Sequence, residues 1–193
     1  PAYGTQEDFK NLLEECHARG ITLIIDFMIN HTSVQHPWFL QAVSYYETLA
    51  PDAQPDYEDC PYAGYYHFST EKAGVTGWHR AGRSAWYYEG KFSDRMPDLA
   101  LENEAVRREI EQAASFWLEL GVDGFRLDAV KEYVSGSPAT NIEVLSWFND
   151  YVLSVNANAF LVGEAWEPVS VGLAPYYTSG VASFFNFPLA QAT

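Results

Sequence analysis

Basic residues, cysteines and long apolar runs are all scarce in this sequence of 193 residues. Lysine and arginine together number 11, against 26 aspartates and glutamates, so the formal net charge is −15 at pH 7. This charge argues against a nucleic-acid partner, because phosphates bind Lys and Arg, and it disfavours an anionic membrane surface. No apolar run in the sequence reaches membrane-spanning length. The two cysteines, Cys16 and Cys60, permit one disulfide but do not require it.

The hydrophobic content of 48% is enough for one sizeable core, and short apolar runs alternate with amphipathic segments. Predicted strands cover residues 21–26, 122–127, 159–164 and 181–186. Predicted helices cover residues 102–120 and 141–155. Residues 32–97 lack sustained periodicity, and a structureless loop of that length is rare in a compact domain. We therefore expect these residues to form an insertion with its own small structure.

The segment GVDGFRLDAVK, residues 121–131, places Arg126 and Asp128 two positions apart at the end of an apolar run. In a β-strand these two side chains point to the same face. A guanidinium beside a carboxylate keeps it ionised and oriented, which is what a carboxylate nucleophile needs. A structural ion pair is the competing interpretation, and for an isolated pair it is the more common one.

Two further runs, at 21–31 and 159–166, also end in side chains capable of chemistry. These side chains are Asp26, Asn30, His31, Glu164 and Trp166. In α/β barrels and open α/β sheets, ligands bind at the carboxyl ends of the strands. Three endings of this kind predict one shared site, with Asp128 and Glu164 close together. Asp26 is better explained as a brace between neighbouring strands.

The motifs DFMINH, GFRLDAVK and VGEAW resemble three sequence signatures of the α-amylase superfamily, glycoside hydrolase family 13. MPDLA, residues 96–100, is similar to a fourth signature, with Ala100 where the family has Asn. The resemblance implies an α/β fold, a partial TIM (β/α)8 barrel with about strands 3 to 6 and a small domain B inserted after the third strand. The implied barrel residues are 1–31 and 98–193, and domain B is 32–97. Because a full barrel needs about 250 residues, we expect a central fragment.

The resemblance also implies a retaining glycoside hydrolase that acts on the α-glucosidic bonds of starch, maltodextrin or related α-glucans. Asp128 matches the nucleophile, beside Arg126, and Glu164 matches the general acid/base. Glu164 must be protonated, so we expect Asp128 and partial desolvation to raise its pKa. The resemblance gives substrate contacts with an α-glucan or maltooligosaccharide to His31, Lys131 and Trp166. Each of these three side chains also has a plain structural interpretation, as a packed His, a surface Lys and a packed Trp.

A calcium site is the one cofactor that the resemblance implies, and no organic cofactor is expected. Asn30 and Asp98 match side-chain ligands of the ion that ties domain B to the barrel in many members, and oxygen ligands suit Ca²⁺. Glu132 stands where many members have His, at a position that supplies its backbone carbonyl. Because the backbone carbonyl does not depend on the side chain, the change from His to Glu neither requires nor excludes calcium binding.

Two alternatives to the hydrolase remain. An α-glucosyltransferase or isomerase shares the nucleophile and acid but passes the glucosyl group to a sugar. A non-catalytic fold fragment retains sugar contacts without turnover, and the seventh-strand Asp of the family has no counterpart before Thr193. We expect the 193-residue chain alone to lack hydrolase activity and to self-associate through unpaired strand edges.

Overall fold

The computed structural model describes residues 4–71, 77–134 and 136–191. In chain order, the longer helices are α1 (Gln6–Ala18), α2 (Pro37–Thr48), α3 (Glu104–Leu120) and α4 (Pro138–Val155). Two short helices follow, α5 (Ser170–Leu173) and α6 (Phe187–Gln191), and 3-10 turns cover Pro61–Gly64 and Ala174–Ser179. The strands are β1 (Ile25–Phe27), β2 (Phe68–Ser69), β3 (Trp78–Arg80), β4 (Tyr87–Glu89), β5 (Gly124–Leu127), β6 (Phe160–Gly163) and β7 (Ser183–Phe184).

The chain divides into two compact units. Unit 1 consists of the described residues within Pro1–Met28, Glu109–Lys131 and Pro138–Thr193. Unit 2 consists of the described residues within Ile29–Arg108 and Glu132–Ser137. It contains the described residues of the predicted insertion, 32–97, and extends beyond it on both sides. Its extension to residues 29–31 and 98–99 reflects pairing between the chain that enters the insertion and the chain that leaves it.

That pairing is local to unit 2. His31 lies opposite Asp98 in an antiparallel bridge, and the Leu99 N–H donates to the Asn30 carbonyl at 2.8 Å. Residues 29–31 and 98–99 are therefore held to each other, and they group with the insertion.

Unit 1 is built on a parallel sheet with the strand order β1-β5-β6-β7. Helix α3 precedes β5 and α4 connects β5 to β6, as expected for β/α units. At Gly124 the neighbouring backbone comes so close that a Cβ would lie 1.9 Å from the Phe160 carbonyl oxygen, and φ there is +151°. Only glycine fits such an approach. The predicted α/β fold, a partial barrel sheet, is confirmed.

Aromatic packing covers one face of this sheet. Phe148 of α4 stacks on Phe27 at a ring distance of 5.6 Å, and Phe27 contacts Phe125 at 4.6 Å. Phe125, Phe148 and Leu127 are fully buried. Burial of this apolar area is the main stabilising contribution, roughly 25 cal/mol per Å² removed from water.

The predicted strand at 21–26 begins later than expected, at Ile25. The reason is a side chain: Asp123 Oδ2 accepts the Leu23 N–H at 2.7 Å, and the Asp123 N–H donates to the Leu23 carbonyl. The Asp123 carboxylate thus accepts a hydrogen bond that a backbone carbonyl would accept in a regular β-ladder, and β1 begins only after this point. Helix α3 begins at Glu104 because Asn103 caps it, accepting the Ala105 N–H at 2.8 Å.

Unit 2 has an antiparallel sheet in the order β2-β4-β3, and α2 lies before it in the chain. Its core is aromatic: Phe39 of α2 contacts Tyr88 at 4.7 Å, and Tyr46 stacks on Phe68 at 3.9 Å. The sequence analysis missed α2 inside the insertion. His36 caps this helix and Pro37 occupies its first turn, which are helix-start signals.

Within the described ranges, no helix combines the length and apolar character needed to cross a membrane. Both cysteines are free thiols, so the disulfide that the sequence permitted does not form.

Candidate active site

Arg126 is the centre of a charged cluster at the carboxyl end of the parallel sheet. Its Nη1 donates to Asp26 Oδ1 at 2.8 Å and contacts Asp128 Oδ1 at 2.7 Å, and its Nη2 donates to Glu164 Oε2 at 2.6 Å. Strand register produces the arrangement, because Asp26 lies directly opposite Arg126 in the β1–β5 pair. We call these four side chains the Arg126 cluster.

Backbone hydrogen bonds fix Glu164 beside the end of β5. The Glu164 N–H donates to the Leu127 carbonyl at 2.8 Å, and the Val130 N–H donates to the Glu164 carbonyl at 3.1 Å. The Asp128 and Glu164 carboxyl groups consequently lie together at the same end of the sheet. The side chains of Arg126, Asp128 and Glu164 are 21–23% exposed, so a ligand has access to the cluster while solvent screening is reduced.

The pKa of Glu164 is raised. Burial is the largest cause, followed by a hydrogen bond with Asp128 and the negative charge of Asp128. The Arg126 charge and the Ala129 N–H oppose the shift. The direction and both causes agree with the expectation for an acid that must hold a proton. One protonated and one ionised carboxyl group at a single site are the two groups that retaining glycoside hydrolysis uses.

Lys131 and Trp166 lie in unit 1, after β5 and β6. Lys131 Nζ pairs with Glu167 Oε1 at 2.8 Å and donates to the Trp166 carbonyl at 2.7 Å. These two contacts fix the position of the Lys131 side chain, unlike that of a freely moving surface lysine. Trp166 is 58% exposed, yet its ring stacks on Phe187 at 4.4 Å. One face of Trp166 therefore packs, and the ring stays accessible.

Sequence reasoning missed one neighbour of the cluster, Phe185. The Arg126 guanidinium lies 5.9 Å from the centre of the Phe185 ring, a distance at which a cation–π interaction is favourable. Phe185 directly follows β7. The predicted strand, 181–186, extends beyond Phe185, so the rule that found Glu164 at a strand end did not find this residue.

His31, Asn30, Asp98 and Glu132 lie in unit 2. Asn30 Nδ2 donates to Asp98 Oδ1 at 3.0 Å, and both side chains are buried. Burial raises the pKa of Asp98 to about 6. His31 contacts Phe92 edge-on at 5.8 Å. The structure therefore brings together Asn30, His31 and Asp98.

The donor set at Asn30 and Asp98 fits a hard cation in part. Asn30 Oδ1 is buried without a hydrogen-bond partner, and an amide oxygen of this kind is a normal Ca²⁺ ligand. The Glu132 side chain, in contrast, pairs with Lys91 Nζ at 3.2 Å, which leaves its backbone carbonyl as the expected donor. The described part of the chain contains no cluster of three or more His, Cys, Asp or Glu side chains suited to a metal.

Known proteins are similar to this chain in both sequence and fold. The family model described as the alpha-amylase catalytic domain matches residues 1–193. Alpha-amylase 3 of Dictyoglomus thermophilum is 40% identical, over 99% of this chain and 35% of that protein. An oligo-1,6-glucosidase of Parageobacillus thermoglucosidasius is 35% identical, over 96% of this chain and 35% of that protein. The solved structure of Eubacterium rectale Amy13B has a TM-score of 0.91 and 48% identity, covering 95% of this chain and 35% of that one.

The chain thus spans about a third of the length of these relatives. The family match covers the strands, the insertion and every motif discussed above. This chain belongs to the alpha-amylase catalytic-domain family.

Proposed function

We propose that this chain contributes the nucleophile and the general acid of a retaining glycoside hydrolase acting on the α-glucosidic bonds of starch, maltodextrin or related α-glucans. The observation that carries the proposal is the Arg126 cluster, in which one guanidinium holds Asp128 and Glu164 at one end of the sheet. The raised pKa of Glu164 supports the division of roles between the two carboxyl groups.

In the first step, Asp128 attacks the anomeric carbon and Glu164 gives its proton to the glycosidic oxygen, so that the bond to the leaving sugar breaks. A covalent glycosyl ester on Asp128 results. In the second step, Glu164 takes a proton from water, the water oxygen attacks the anomeric carbon, and Asp128 is released as a carboxylate. The contact of Arg126 Nη1 with Asp128 Oδ1, at 2.7 Å, orients the Asp128 carboxyl group in both steps.

Three further side chains are proposed to contact the sugar: His31, Lys131 and Trp166. The accessible ring of Trp166 suits stacking on the apolar face of a glucosyl unit. The pairing of Lys131 with Glu167 gives the ammonium group a defined position for a sugar hydroxyl.

We also propose that Asn30, Asp98 and the backbone carbonyl of Glu132 hold Ca²⁺. The buried, unpartnered Oδ1 of Asn30 supports this set. The ion would supply a fixed positive charge that neutralises Asp98 and braces unit 2.

The deciding experiment is covalent trapping in a full-length protein that contains this chain. A fluorinated glycosyl substrate slows the second step, and mass spectrometry of the peptides should find the label on Asp128. Label on another carboxylate would contradict the assignment, and no label together with no turnover would favour the non-catalytic alternative. Product analysis with a maltooligosaccharide separates hydrolysis, which gives shorter sugars only, from glucosyl transfer, which gives new linkages.

A further inference from the structure

Unit 2 contains a cavity of about 650 Å³ that has no part in the proposed reaction. Its volume lies within the range of about 300–1,000 Å³ that is usual for small-molecule sites. None of the described residues that line it belongs to the Arg126 cluster or to the proposed calcium site. The side chains of the lining that matter most are those of Tyr57, His67, Phe68, Trp78, Glu89 and Glu102.

One wall of this cavity places an aromatic ring beside a carboxylate. Trp78 of β3 lies directly opposite Glu89 of β4 in the antiparallel pair, so the two side chains are neighbours on one face of the sheet. Trp78 is half-buried, and Tyr57, which also lines the cavity, is 54% exposed. Ring surface is therefore accessible to a ligand next to a group that accepts hydrogen bonds.

His67 fixes the two carboxylates of the cavity. Its Nδ1 lies 3.0 Å from Glu89 Oε2, and its Nε2 lies 2.6 Å from Glu102 Oε1. Because one imidazole holds both groups, less side-chain freedom has to be lost when a ligand binds. The Glu102 side chain is more than half exposed, so its carboxylate can accept further hydrogen bonds from a ligand.

A second cavity, of about 370 Å³, shares Tyr57 and Phe68 with the first as a common wall. Its lining includes the hydrogen-bonding side chains of Asp52, Gln54, Ser69, Thr70 and Glu71. Among the described residues that line the two cavities there is no Lys or Arg. Two adjoining cavities suit a ligand longer than one ring, and carboxylates without cationic neighbours of this kind disfavour an anionic ligand.

We propose that these two cavities form a second binding site, for an α-glucan chain, and we call it the Trp78 cleft. Trp78 and Tyr57 contact the apolar faces of sugar rings, and Glu89 and Glu102 accept hydrogen bonds from sugar hydroxyls. The choice of an α-glucan rests on the proposed function. A polymer held at the cleft has a raised effective concentration at the Arg126 cluster of the same molecule, which a short substrate does not gain.

The test compares polymer and short substrate in a full-length protein that contains this chain. Trp78→Ala should raise the apparent Kd for amylose by about tenfold, measured by affinity electrophoresis in gels that contain amylose. The same variant should raise KM for amylose and leave kcat/KM for maltotriose unchanged, because a trisaccharide cannot occupy two sites at once.

Two further variants accompany this measurement. Glu102→Gln keeps the shape of the side chain but removes the charge of the acceptor, and it should raise the apparent Kd for amylose by about threefold. Trp38→Ala is the matched control, because Trp38 is a half-buried tryptophan of the same unit that lines neither cavity. Trp38→Ala should leave amylose binding unchanged.

A wild-type protein that amylose does not retard would overturn the inference, and so would wild-type affinity in both Trp78→Ala and Glu102→Gln. Tighter binding of tetramethylammonium than of maltoheptaose would identify a cation site and would also overturn it. If Trp78→Ala does not fold, the exposed Glu102→Gln decides. Trapping separates this proposal from the proposed function: label on Asp128 without an effect of either variant removes only the cleft, whereas Trp78-dependent retention without label removes only the hydrolase.

Discussion

Each unit of the molecule places one cationic side chain between carboxylates, and the two clusters differ in whether a carboxyl group or an imidazole has the raised pKa. In unit 1, Arg126 contacts three carboxylates. In unit 2, His67 contacts two: Nε2 lies 2.6 Å from Glu102 Oε1 and Nδ1 lies 3.0 Å from Glu89 Oε2. We call these three side chains the His67 cluster.

The charge balance decides what each cluster does. Arg126 is always charged, and the pKa of Glu164 beside it is raised, first by burial and then by its hydrogen bond with Asp128. His67 is titratable: its hydrogen bonds to Glu102 and Glu89 raise the imidazole pKa to about 10, and the hydrogen bond with His67 lowers the pKa of Glu102. The raised pKa therefore belongs to a carboxyl group in one cluster and to the imidazole in the other. The first arrangement suits proton transfer, and the second stabilises the fold.

The largest expected effect concerns the Arg126 cluster. Asp128→Asn in a full-length protein should lower kcat by about a thousandfold or more, because an amide is neither a nucleophile nor a charge partner, while the unfolding temperature changes little. Steady-state kinetics and thermal unfolding measure the two quantities. Glu102→Gln, which breaks the His67 cluster instead, should keep most of kcat. A loss of turnover in Glu102→Gln equal to that in Asp128→Asn would remove the distinction between the clusters.

Arg126→Lys should lower kcat by about a hundredfold, because an ammonium group lacks the planar fork that holds Asp26, Asp128 and Glu164 in one arrangement. Lysine retains the positive charge, so this variant tests the geometry of the guanidinium group alone. Near-normal kcat in this variant would mean that a point charge is sufficient.

The isolated 193-residue chain should show negligible hydrolysis of a maltooligosaccharide and should self-associate. In the described sheet β1 and β7 are the edges, and apolar side chains such as Met28 and Ile21 are more than half exposed. Such edges pair with other chains. Sedimentation with an activity assay is the measurement, and a monodisperse, active monomer would refute the expectation.

His67→Gln should lower the free energy of unfolding by about 1 kcal/mol at pH 6, a modest value because the cluster is partly exposed and screened by solvent. The folded-state pKa lies above the unfolded value, so the stabilisation is complete below about pH 6.5 and is lost as the pH rises towards about 10. Urea unfolding of the two proteins across this range should give curves that converge at high pH. A constant difference would show that packing, not charge, is responsible.

The smallest expected effect is that of calcium. If Asn30 and Asp98 bind Ca²⁺, calcium at a concentration near its Kd should stabilise the protein by about 0.5 kcal/mol, which raises the unfolding temperature slightly. Asp98→Asn should remove the dependence, whereas Asp26→Asn should retain it. An equal response in Asp98→Asn would place the ion elsewhere.

The two clusters also separate what sequence can predict from what it cannot. Asp128 and Glu164 directly follow β5 and β6, and Arg126 lies near the end of β5. Local pattern predicted both strands and placed their carboxyl ends at one site. The contact of Asp26 with Arg126 depends on the register of β1 against β5, which no local signal specifies. Asp26 was nevertheless correctly interpreted as a brace.

No pattern in the sequence predicted the His67 cluster. Glu89 lies 22 residues further along the chain, in the region without periodicity, and Glu102 lies 35 residues along, at the start of the predicted helix 102–120. Their approach to His67 depends on the irregular insertion. The left-handed backbone of Ala129, with a φ of +50°, was equally hidden, because alanine normally indicates a helix, not a turn.

Asp26 and Arg126 are separated by 100 residues, and Arg126 and Glu164 by 38. Contacts of such high contact order form late, since loop closure must precede them. During refolding of a full-length protein that contains this chain, the helical signal in circular dichroism should therefore recover before the proposed glycosidase activity. In a partly folded chain the acidic side chains are hydrated and have ordinary pKa values. The proposed hydrolysis therefore begins only after the last pair of strands has formed.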